Sequence, residues 1–475
     1  MEHFDLLVIG GGINGTAIAR DAAGRGLSVL LVEKDDLAAH TSSASSKLAH
    51  GGLRYLERYE LRLVREALAE RETLLRNAPH IVRPLRFILP VTKGMRPRWM
   101  LRLGLLLYDL LALRGSLPRS RGVSPYDAAR APLKGGDRLP LLSYWDAWAD
   151  DARLVALNAL DAAERGAEIA TRTEFLSARR RDGLWHASLS GGREATAAHI
   201  VNAAGPWVAE VLGSRIGENS EARARLVRGS HIVVPALWDG GHAYILQQPD
   251  GRVVFALPFE GATMIGTTDV PADGPGDATA SESEIAYLCA AANLYFDRQL
   301  SPGDVVWSFA GVRALWDDGA ADPEDVTRNY RLELDEGLLS VFGGKLTTAR
   351  ALASEALDRL GVAGLKFSRT SPLPGGDVLP PFLTWLDEVG RWMEPELLDR
   401  LSRAYGTRMQ EIVGEATRME HLGRHFGAGL HEAELRYLRD REFARTADDV
   451  LWRRTKLGLR FTAAERAALE RWFAG

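Results

Sequence analysis

The sequence predicts an α/β fold: a dinucleotide-binding domain carries an inserted, mostly antiparallel sheet, and an all-α domain follows it. Three observations indicate this fold: a glycine-rich strand–turn–helix at the start, a series of β-branched runs in the middle, and a Leu/Arg/Glu-rich end without a strand pattern. The 475 residues suffice for two or three domains. We expect the first domain at 1–371, with the inserted sheet mainly at 80–145 and 225–335, and the helical domain at 382–475.

The opening stretch predicts a strand, a phosphate-binding turn and a helix. A short apolar run, Asp5–Ile9, leads into a G-x-G-x-x-G motif made by Gly10, Gly12 and Gly15. The glycines permit the sharp turn, the approach of a pyrophosphate and close helix–strand packing. Ile13–Arg25 is the predicted helix, whose N-terminal amides face the phosphates. Ser28–Glu33 is the next buried strand, and Glu33 at its end is positioned to accept ribose hydroxyls.

Three further glycine-containing segments point at the same pocket. Ala38–Leu53 is a Ser/Gly-rich loop that leaves the second strand directly and can offer hydroxyls and amides to a cofactor. Ile200–Pro206 is an apolar strand that ends in small residues. Leu338–Phe342 is a final buried strand, followed by Gly343, Gly344 and Lys345 and then by a predicted helix over Leu346–Leu360. This repeats the opening strand–glycine–helix arrangement.

Between these segments the hydrophobic periodicity predicts the remaining elements of the first domain. The predicted helices are Tyr59–Ala78, Asp151–Arg165 and Glu282–Phe296. The predicted strands are Arg86–Val91, Glu168–Ser177, Leu184–Leu189, several within His231–Val270, Val305–Arg313 and Tyr330–Leu334. Arg114–Leu139 is rich in Pro, Gly and Arg and is predicted as a surface loop. In the C-terminal domain, Glu432–Arg441 and Ala463–Phe473 are helical by period, the latter with a capping box at Thr462 and Glu465.

The segment Trp99–Leu113 is apolar but carries Arg102 and Asp109 and is flanked by further arginines. It is shorter than the roughly 20 apolar residues that span a bilayer. Two interpretations remain open: a helix that lies on an anionic membrane surface, or a buried helix with arginines at its rim.

The composition narrows the function classes. A net charge of −4 gives no argument for nucleic-acid binding. The single Cys289 excludes an internal disulfide, fits a reducing compartment and is interpreted as a core thiol. No histidine pair, cysteine cluster or H-E-x-x-H motif indicates a metal site. We expect no cleavable signal peptide, because the first apolar run is a strand that leads into glycines.

Six dispersed motifs, in order, resemble the FAD-dependent, membrane-associated glycerol-3-phosphate dehydrogenase family. They are IGGGINGTAIARDAAGRGLSVLLVE, SSASSKLAHGGLRYLE, GSHIVVP, GTTD, GVR and FGGKLTT. The resemblance implies the fold of the glutathione-reductase-like and amino-acid-oxidase-like flavoproteins and non-covalent FAD. It implies that sn-glycerol 3-phosphate is oxidised to dihydroxyacetone phosphate and that a membrane quinone reoxidises the flavin. It further implies a peripheral protein on the cytoplasmic face of the inner membrane, and a homodimer is left open.

The same resemblance assigns the site. His231 is the expected proton acceptor, because it is a neutral-pH base at the start of the HIVVP strand, with Arg313 and Lys345 as the other catalytic residues. Alternatively, Arg313 steadies the developing alkoxide. The expected substrate ligands are Arg54, Tyr55, Arg313, Arg328 and Lys345. The expected cofactor contacts are Gly10, Gly12, Ile13, Asn14, Gly15, Glu33, Lys34, Thr41, Ser42, Ser46, Lys47, Leu48, His50, Gly51, Gly52, Ala204, Gly205, Arg313, Gly344, Lys345, Leu346 and Thr347.

Three other functions stay open at this point. An oxidase of the same fold would pass electrons to oxygen, and the sequence separates it poorly from a dehydrogenase. A flavin-binding regulatory or tRNA-modifying protein would lack the cluster of Arg54, Arg313 and Arg328. An NAD-linked enzyme fits the glycine motif alone, but the long Ser/Gly loop and the second Gly-Gly–helix site suit a cofactor that is buried along its length.

Overall fold

Two large sheets and a helical C-terminal part make up the chain. The structure is a computed structural model and describes residues 2–475 except 54–55, 57–58, 93–95, 113–114, 218–223, 277 and 317–329. The strands are β1 (Glu2–Ile9), β2 (Val29–Glu33), β3 (Leu48–Ala49), β4 (Val82–Pro90), β5 (Arg121–Gly122), β6 (Leu141–Ala149), β7 (Glu168–Thr171), β8 (Phe175–Arg181), β9 (Leu184–Leu189), β10 (Glu194–Asn202), β11 (Ala224–Pro235), β12 (Ala243–Gln247), β13 (Val253–Phe259), β14 (Ala262–Gly266), β15 (Val270–Pro271), β16 (Trp307–Trp316), β17 (Arg331–Asp335), β18 (Leu338–Phe342), β19 (His425–Gly427) and β20 (Leu430–His431). The helices are α1 (Ile13–Gly24), α2 (Leu61–Asn77), α3 (Arg98–Leu111), α4 (Asp151–Glu164), α5 (Val208–Glu210), α6 (Glu282–Asn293), α7 (Ala349–Arg359), α8 (Pro380–Val389), α9 (Pro395–Tyr405), α10 (Met409–Val413), α11 (Glu432–Asp440) and α12 (Ala463–Ala474).

The first sheet is the predicted dinucleotide-binding sheet. Its strands β7, β2, β1, β10 and β18 lie side by side and parallel, β17 closes one edge antiparallel, and the β8–β9 hairpin joins β10. Helices α1, α4 and α7 pack together on one face, and apolar residues of these helices and of β1 and β2 share one core cluster. Parallel strands covered by helices require near-continuous apolar runs, and β2 is buried along its whole length.

The second sheet has ten strands and is mostly antiparallel, as predicted. Its order is β15–β11–β14–β13–β12–β4–β6–β3, with β16 also on β11 and β5 on β6. Among the described strands of this sheet, only the β12–β4 pair is parallel. Its long pairs are β11 with β16 and β4 with β6. The register sets His231 of β11 between Phe309 of β16 and Gly266 of β14.

The C-terminal helices surround a core of their own, which includes Leu397, Tyr405, Leu435 and Leu469. The predicted capping box forms at Thr462 at the start of α12. The prediction that this part has no strand is wrong, because β19 and β20 pair as a short hairpin. Strands of three and two residues are too short to show an alternating pattern. The domain limits themselves stay a prediction.

Other predicted elements need correction within the first domain. The run 168–177 forms two strands, β7 and β8, because the chain turns at Arg172, which has a φ of 55°. The run 114–139, predicted as a loop, contains β5. Strand β17 pairs with β18 and therefore belongs to the first sheet, although the expected range of the inserted sheet included it. Strand β6 was not predicted, although it pairs with β4 along its length.

Gly15 lies where α1 packs against the turn that follows β1. A Cβ atom there would lie 1.9 Å from the carbonyl oxygen of Gly10. No side chain fits in that space, so the helix axis depends on glycine. Gly104 of α3 differs, because a Cβ added there would meet no other atom within 4 Å.

We predict that Gly15→Ala lowers the free energy of unfolding by about 1–3 kcal/mol, because the added methyl group forces α1 away from β1. Thermal or urea unfolding measures this effect. The matched control Gly104→Ala should leave stability unchanged or raise it, since alanine favours helix. Equal stability of wild type and Gly15→Ala would contradict this packing.

Candidate functional site

A cleft of about 400 Å³ lies between the two sheets. One wall comes from the carboxyl ends of β1, β2 and β10 and from the segment after β18, and the opposite wall from β11, β13 and β16 of the second sheet. Ligands of open α/β sheets bind at the carboxyl ends of the strands. The cleft therefore lies where the sequence predicted the cofactor.

The N-terminus of α1 opens into this cleft. Gly10 has a φ of 109° and makes the turn from β1. Gly12 is the N-cap, and α1 has neither a side-chain cap nor an acidic residue in its first turn. The amide of Ile13 donates to the Ser42 hydroxyl at 3.0 Å. An uncapped helix start without acidic residues favours an anion, and a pyrophosphate suits this position.

One end of the cleft is built around Glu33. Its carboxylate accepts the amides of Gly11 at 2.6 Å and Asp35 at 2.9 Å, and burial raises the pKa of Glu33. Trp207 also lines this part of the cleft. The ammonium of Lys34 lies 3.8 Å from the centre of the Trp207 ring, and the His40 ring lies 4.6 Å from it. This end combines a hydrogen-bond acceptor with a flat aromatic surface.

The Ser/Gly-rich loop joins the two walls. The Thr41 hydroxyl donates to the carbonyl of Val312 at 2.5 Å. Lys47 is buried, and its ammonium lies 2.9 and 3.0 Å from the two carboxylate oxygens of Asp151 at the start of α4. Asp151 also accepts the amide and hydroxyl of Ser45. Burial lowers the pKa of Lys47, and Asp151 opposes that shift.

The other end of the cleft holds His231. Its Nε2 lies 2.8 Å from the Ser46 hydroxyl, and its ring stacks on Phe309 with 4.9 Å between centres. Gly266 leaves room for the imidazole, since a Cβ there would lie 2.1 Å from the ring. Burial, then Lys47 and Arg313, lowers the pKa of His231 to about 3. The imidazole is therefore neutral at physiological pH.

Arg313 lies at the same end and is fixed by three partners. Its guanidinium contacts a carboxylate oxygen of Asp269 at 2.6 Å, the Thr267 hydroxyl at 3.3 Å and the Thr268 carbonyl at 3.4 Å. Lys345 follows β18 and lines the cleft as well. A neutral imidazole beside cationic side chains is suited to bind an anionic substrate and to accept a proton from it.

Most of the predicted contacts line the cleft. Those that line it are His231, Gly10, Gly12, Ile13, Asn14, Glu33, Lys34, Thr41, Ser42, Ser46, Leu48, His50, Ala204, Gly205, Arg313, Gly344, Lys345, Leu346 and Thr347. Their individual roles stay predictions. Arg54, Tyr55 and Arg328 lie outside the described residues.

Four predicted cofactor contacts, Gly15, Lys47, Gly51 and Gly52, do not line the cleft. Gly15 packs on Gly10, and Lys47 pairs with Asp151. The Gly51 amide donates to the Tyr108 hydroxyl at 2.9 Å, and the Gly52 amide donates to His50 Nδ1 at 3.1 Å. In this structure these residues pack behind the lining of the cleft, and their role as cofactor contacts stays a prediction.

Several site residues carry no local sequence signal. Trp207 and Phe255 line the cleft. Trp207 follows β10 and Phe255 belongs to β13, and neither is part of a recognisable motif. Glu284 on α6 accepts the hydroxyls of Ser230 and Thr268 at 2.8 and 2.7 Å. It thereby links β11, next to His231, to the loop after β14 whose Thr268 carbonyl contacts Arg313. Hydrogen bonds from Thr268, Ser281 and Ser230 outweigh burial and hold the pKa of Glu284 at about 2.

Among the described residues, Glu33, Asp35 and His40 come close enough together to hold a metal ion. Both oxygens of Glu33 already accept backbone amides, and His40 Nε2 lies 2.8 Å from Asp35. This group therefore indicates a hydrogen-bonded turn at the cofactor end.

The profile of the FAD dependent oxidoreductase family matches residues 5–356, and that of the C-terminal domain of alpha-glycerophosphate oxidase matches 367–474. This chain is a member of the FAD-dependent oxidoreductases. It is 50% identical to D-erythritol 1-phosphate dehydrogenase of Brucella abortus, over 99% of this chain and 98% of the relative. It is 50% identical to glycerol-3-phosphate dehydrogenase of Pseudomonas aeruginosa, over 98% and 94%. The structure of glycerol-3-phosphate dehydrogenase from Bacillus halodurans with FAD is similar at a TM-score of 0.73 and 26% identity, over 99% of this chain and 94% of that one.

The cleft of this flavoprotein fits FAD. Its lining includes Glu33, the N-terminus of α1 with its anion site, and His231. Two buried polar atoms that belong to cleft-lining residues, Asn14 Oδ1 and His231 Nδ1, have no hydrogen-bond partner in the described structure. Such atoms need a partner when buried, and a bound cofactor or substrate can supply it. Among the described residues, no helix is both long and apolar enough to cross a membrane.

The flavoprotein should become less stable in acid, in part because of His231. The pKa of His231 is about 3 in the folded chain, against 6.5 for an ordinary histidine. Between these values the unfolded chain binds one more proton, so stability falls as pH decreases. The contribution of this group is at most about 1.4 kcal/mol per pH unit. Urea unfolding of the wild type and of His231→Asn measures this contribution. The range from pH 7 to about pH 4 is used because the unfolded chain takes up the extra proton there.

The variant should show a shallower pH dependence than the wild type. His186→Asn is the control, because His186 lies on β9 outside the cleft. Parallel curves for wild type and His231→Asn would contradict a neutral buried imidazole.

Proposed function

We propose that this flavoprotein oxidises glycerol 3-phosphate at C2 to dihydroxyacetone phosphate and delivers the electrons to a membrane quinone. The observation that carries the proposal is the neutral, buried His231, with an unpartnered Nδ1, at the same end of the cleft as Arg313. Relatives of 50% identity that act on phosphorylated polyols support it.

The proposed chemistry divides between the side chains and the cofactor. Bound FAD supplies the acceptor for the hydride that leaves C2. His231 takes the proton of the C2 hydroxyl, so that the C–H and O–H bonds break as the carbonyl forms. Arg313 binds the substrate phosphate or the oxygen at C2, and its fork-shaped guanidinium suits both. Two electrons and two protons pass to quinone overall.

The low pKa of His231 fits this role when substrate is included. Burial and two cations, Lys47 and Arg313, lower the pKa of the free site to about 3. A phosphate dianion brings charge of the opposite sign, which raises the pKa of a neighbouring imidazole. Substrate binding therefore makes His231 a stronger base at the moment when the proton must be accepted.

A second substrate is favoured by a specific observation. D-erythritol 1-phosphate dehydrogenase is as similar to this chain, at 50% identity, as glycerol-3-phosphate dehydrogenase is. Both substrates present a phosphate and a secondary alcohol. The shared chemistry is oxidation of a polyol phosphate, and the length of the carbon chain decides between them.

The deciding experiment mixes the purified holoenzyme anaerobically with each phosphate ester and follows bleaching of the flavin absorbance. We expect glycerol 3-phosphate to give a kcat/KM about tenfold or more above that of D-erythritol 1-phosphate. The reduced enzyme should then be reoxidised by a short-chain ubiquinone analogue faster than by oxygen. The reverse substrate preference selects the second candidate. No bleaching by either ester, or peroxide formation with quinone ignored, would overturn the proposal.

Arg313→Ala should lower kcat/KM by about 100-fold because a charge-assisted hydrogen bond to an anion is lost. The FAD absorbance of the variant should persist. The control is Arg331→Ala: Arg331 lies on β17, stacks on Trp316 and does not line the cleft. Loss of FAD and of turnover in the same proportion would refute the substrate role of Arg313.

We further propose that α3 binds the membrane surface. Four apolar residues on one stripe of this helix are exposed: Trp99 by 67%, Leu103 by 59%, Leu106 by 52% and Leu110 by 56%. The opposite stripe, with Leu105 and Tyr108, is buried in the second-sheet core. Exposed Arg98, Arg102, Arg119 and Arg121 surround the helix. An apolar face with a basic border suits an anionic bilayer, and the cytoplasmic face of the inner membrane is the location that we propose.

The double variant Leu103→Asp/Leu106→Asp should bind vesicles of anionic phospholipid at least about tenfold more weakly than the wild type. Two leucines of the apolar stripe are replaced by negative charges, which the anionic vesicle surface repels. Flotation of holoenzyme with vesicles measures binding. Leu294→Asp/Leu365→Asp is the matched control, since both leucines are exposed and belong to other parts of the chain, after α6 and after α7. Unchanged flotation of the α3 variant would show that another surface mediates contact.

A further inference from the structure

We infer that the C-terminal domain holds the FAD-binding loop after β2 in its binding conformation, through the buried carboxylate of Asp36. Asp36 is thus a positioning residue for the cofactor, acting from behind the cleft wall. The inference rests on the FAD assignment and does not depend on which polyol phosphate is the substrate. We call residues 34–40 the cofactor loop.

Asp36 is clamped by two arginines of the C-terminal domain. One carboxylate oxygen lies 2.5 Å from Arg453 Nε and 2.8 Å from Arg454 Nη1. The other oxygen lies 2.9 Å from Arg454 Nη2. Asp36 and Arg454 are 2% and 1% exposed. The fork of Arg454 therefore binds the carboxylate through two parallel hydrogen bonds, which fix direction as well as distance.

The two arginines are themselves held on the C-terminal domain. They end a π-helical turn, Asp449–Arg454. Arg454 also donates to the carbonyl of Glu442 at 3.1 and 2.8 Å, and Arg453 pairs with Asp449. Contacts within the C-terminal domain thus orient both arginines, and both bind Asp36 of the first domain.

A second connection reaches the same loop. Asp449 binds the guanidinium of Arg172 at 2.8 Å, and the backbone amide of Arg172 donates to the Asp35 carbonyl at 2.9 Å. Asp449 accepts two backbone amides as well, from Arg445 and Thr446. Side chains of the C-terminal domain therefore hold neighbouring residues of the cofactor loop at two points.

The loop needs such anchoring because its conformation is unfavourable in isolation. Ala38 has a φ of 58°, in the left-handed region that residues with a Cβ disfavour, and its amide donates to the Gly11 carbonyl at 3.1 Å. Lys34, Ala38, Ala39 and His40 all line the cleft. When a strained backbone lies beside a ligand site, surrounding contacts must stabilise it, and the Asp36 clamp provides them.

The test compares Asp36→Asn with Glu442→Gln. Both changes remove the carboxylate of a buried ion pair at the same domain interface, since Glu442 pairs with Arg153 of α4. Neither Arg153 nor the Glu442 carboxylate contacts the cofactor loop. Glu442 holds Arg454 through its backbone carbonyl, which Glu442→Gln retains. Apoprotein of each variant is titrated with FAD, and quenching of flavin fluorescence gives the dissociation constant. Turnover with glycerol 3-phosphate is then measured at saturating FAD.

We expect Asp36→Asn to weaken FAD binding about tenfold or more, while kcat at saturating FAD stays within about twofold of wild type. Glu442→Gln should lower the melting temperature but leave the FAD dissociation constant within about twofold. This split separates positioning of the cofactor from general stability. Unchanged FAD affinity in Asp36→Asn, or equal loss in both variants, would overturn the inference.

A milder variant serves if Asp36→Asn does not fold. Arg453→Gln leaves the two bonds of Arg454 to Asp36 in place and removes a side chain that is 16% exposed. FAD affinity should fall about threefold, with kcat unchanged. An FAD dissociation constant equal to that of wild type would likewise overturn the inference.

Discussion

The buried ion pair between Lys47 and Asp151 is the constraint on which the site depends. Lys47 has a φ of 56° and lies where the chain passes from the first sheet into the second. Its carbonyl accepts the Ala149 amide of β6, and its ammonium is bound by the first residue of α4. Separating Lys47 from Asp151 would leave a buried charge without a partner, which costs several kcal/mol. The pair therefore holds β3 and β6 of the second sheet against α4 of the first domain.

This pair also sets the electrostatics of the substrate end. Lys47 is neutralised by Asp151, and Arg313 by Asp269, yet both still disfavour a proton on His231. Ser46, next to Lys47, is hydrogen-bonded to the imidazole. One loop thus positions the imidazole through Ser46, and its Lys47 adds to burial in keeping the imidazole neutral. The adjacent space is suited to an anion. The same few residues connect the fold to the proposed chemistry.

The sequence predicted the parts of this arrangement that depend on local pattern. The glycines at positions 10 and 15 were predictable because the turn from strand to helix, and a phosphate beside it, leave no room for side chains. The acidic residue at the end of β2 was predictable from the same motif. The structure has these features. Strand β6 was missed because Leu141–Ala149 is buried at most positions and lacks a polar alternation. Trp207, the bonds of Glu284 to Ser230 and Thr268, and the Asp36 clamp were missed for another reason. Their partners lie far away along the chain, and no single stretch of sequence records such contacts.

The one cysteine of the chain, Cys289, is buried in the core of the second sheet. A lone thiol cannot form an intrachain dithiol couple, so the polypeptide has no cysteine pair in which to store the two electrons taken from a substrate. In the proposed reaction, the reducing equivalents would leave the prosthetic group for a diffusible carrier without a dithiol intermediate. In that reaction, reoxidation then depends on how closely that carrier can approach the isoalloxazine edge through the cleft.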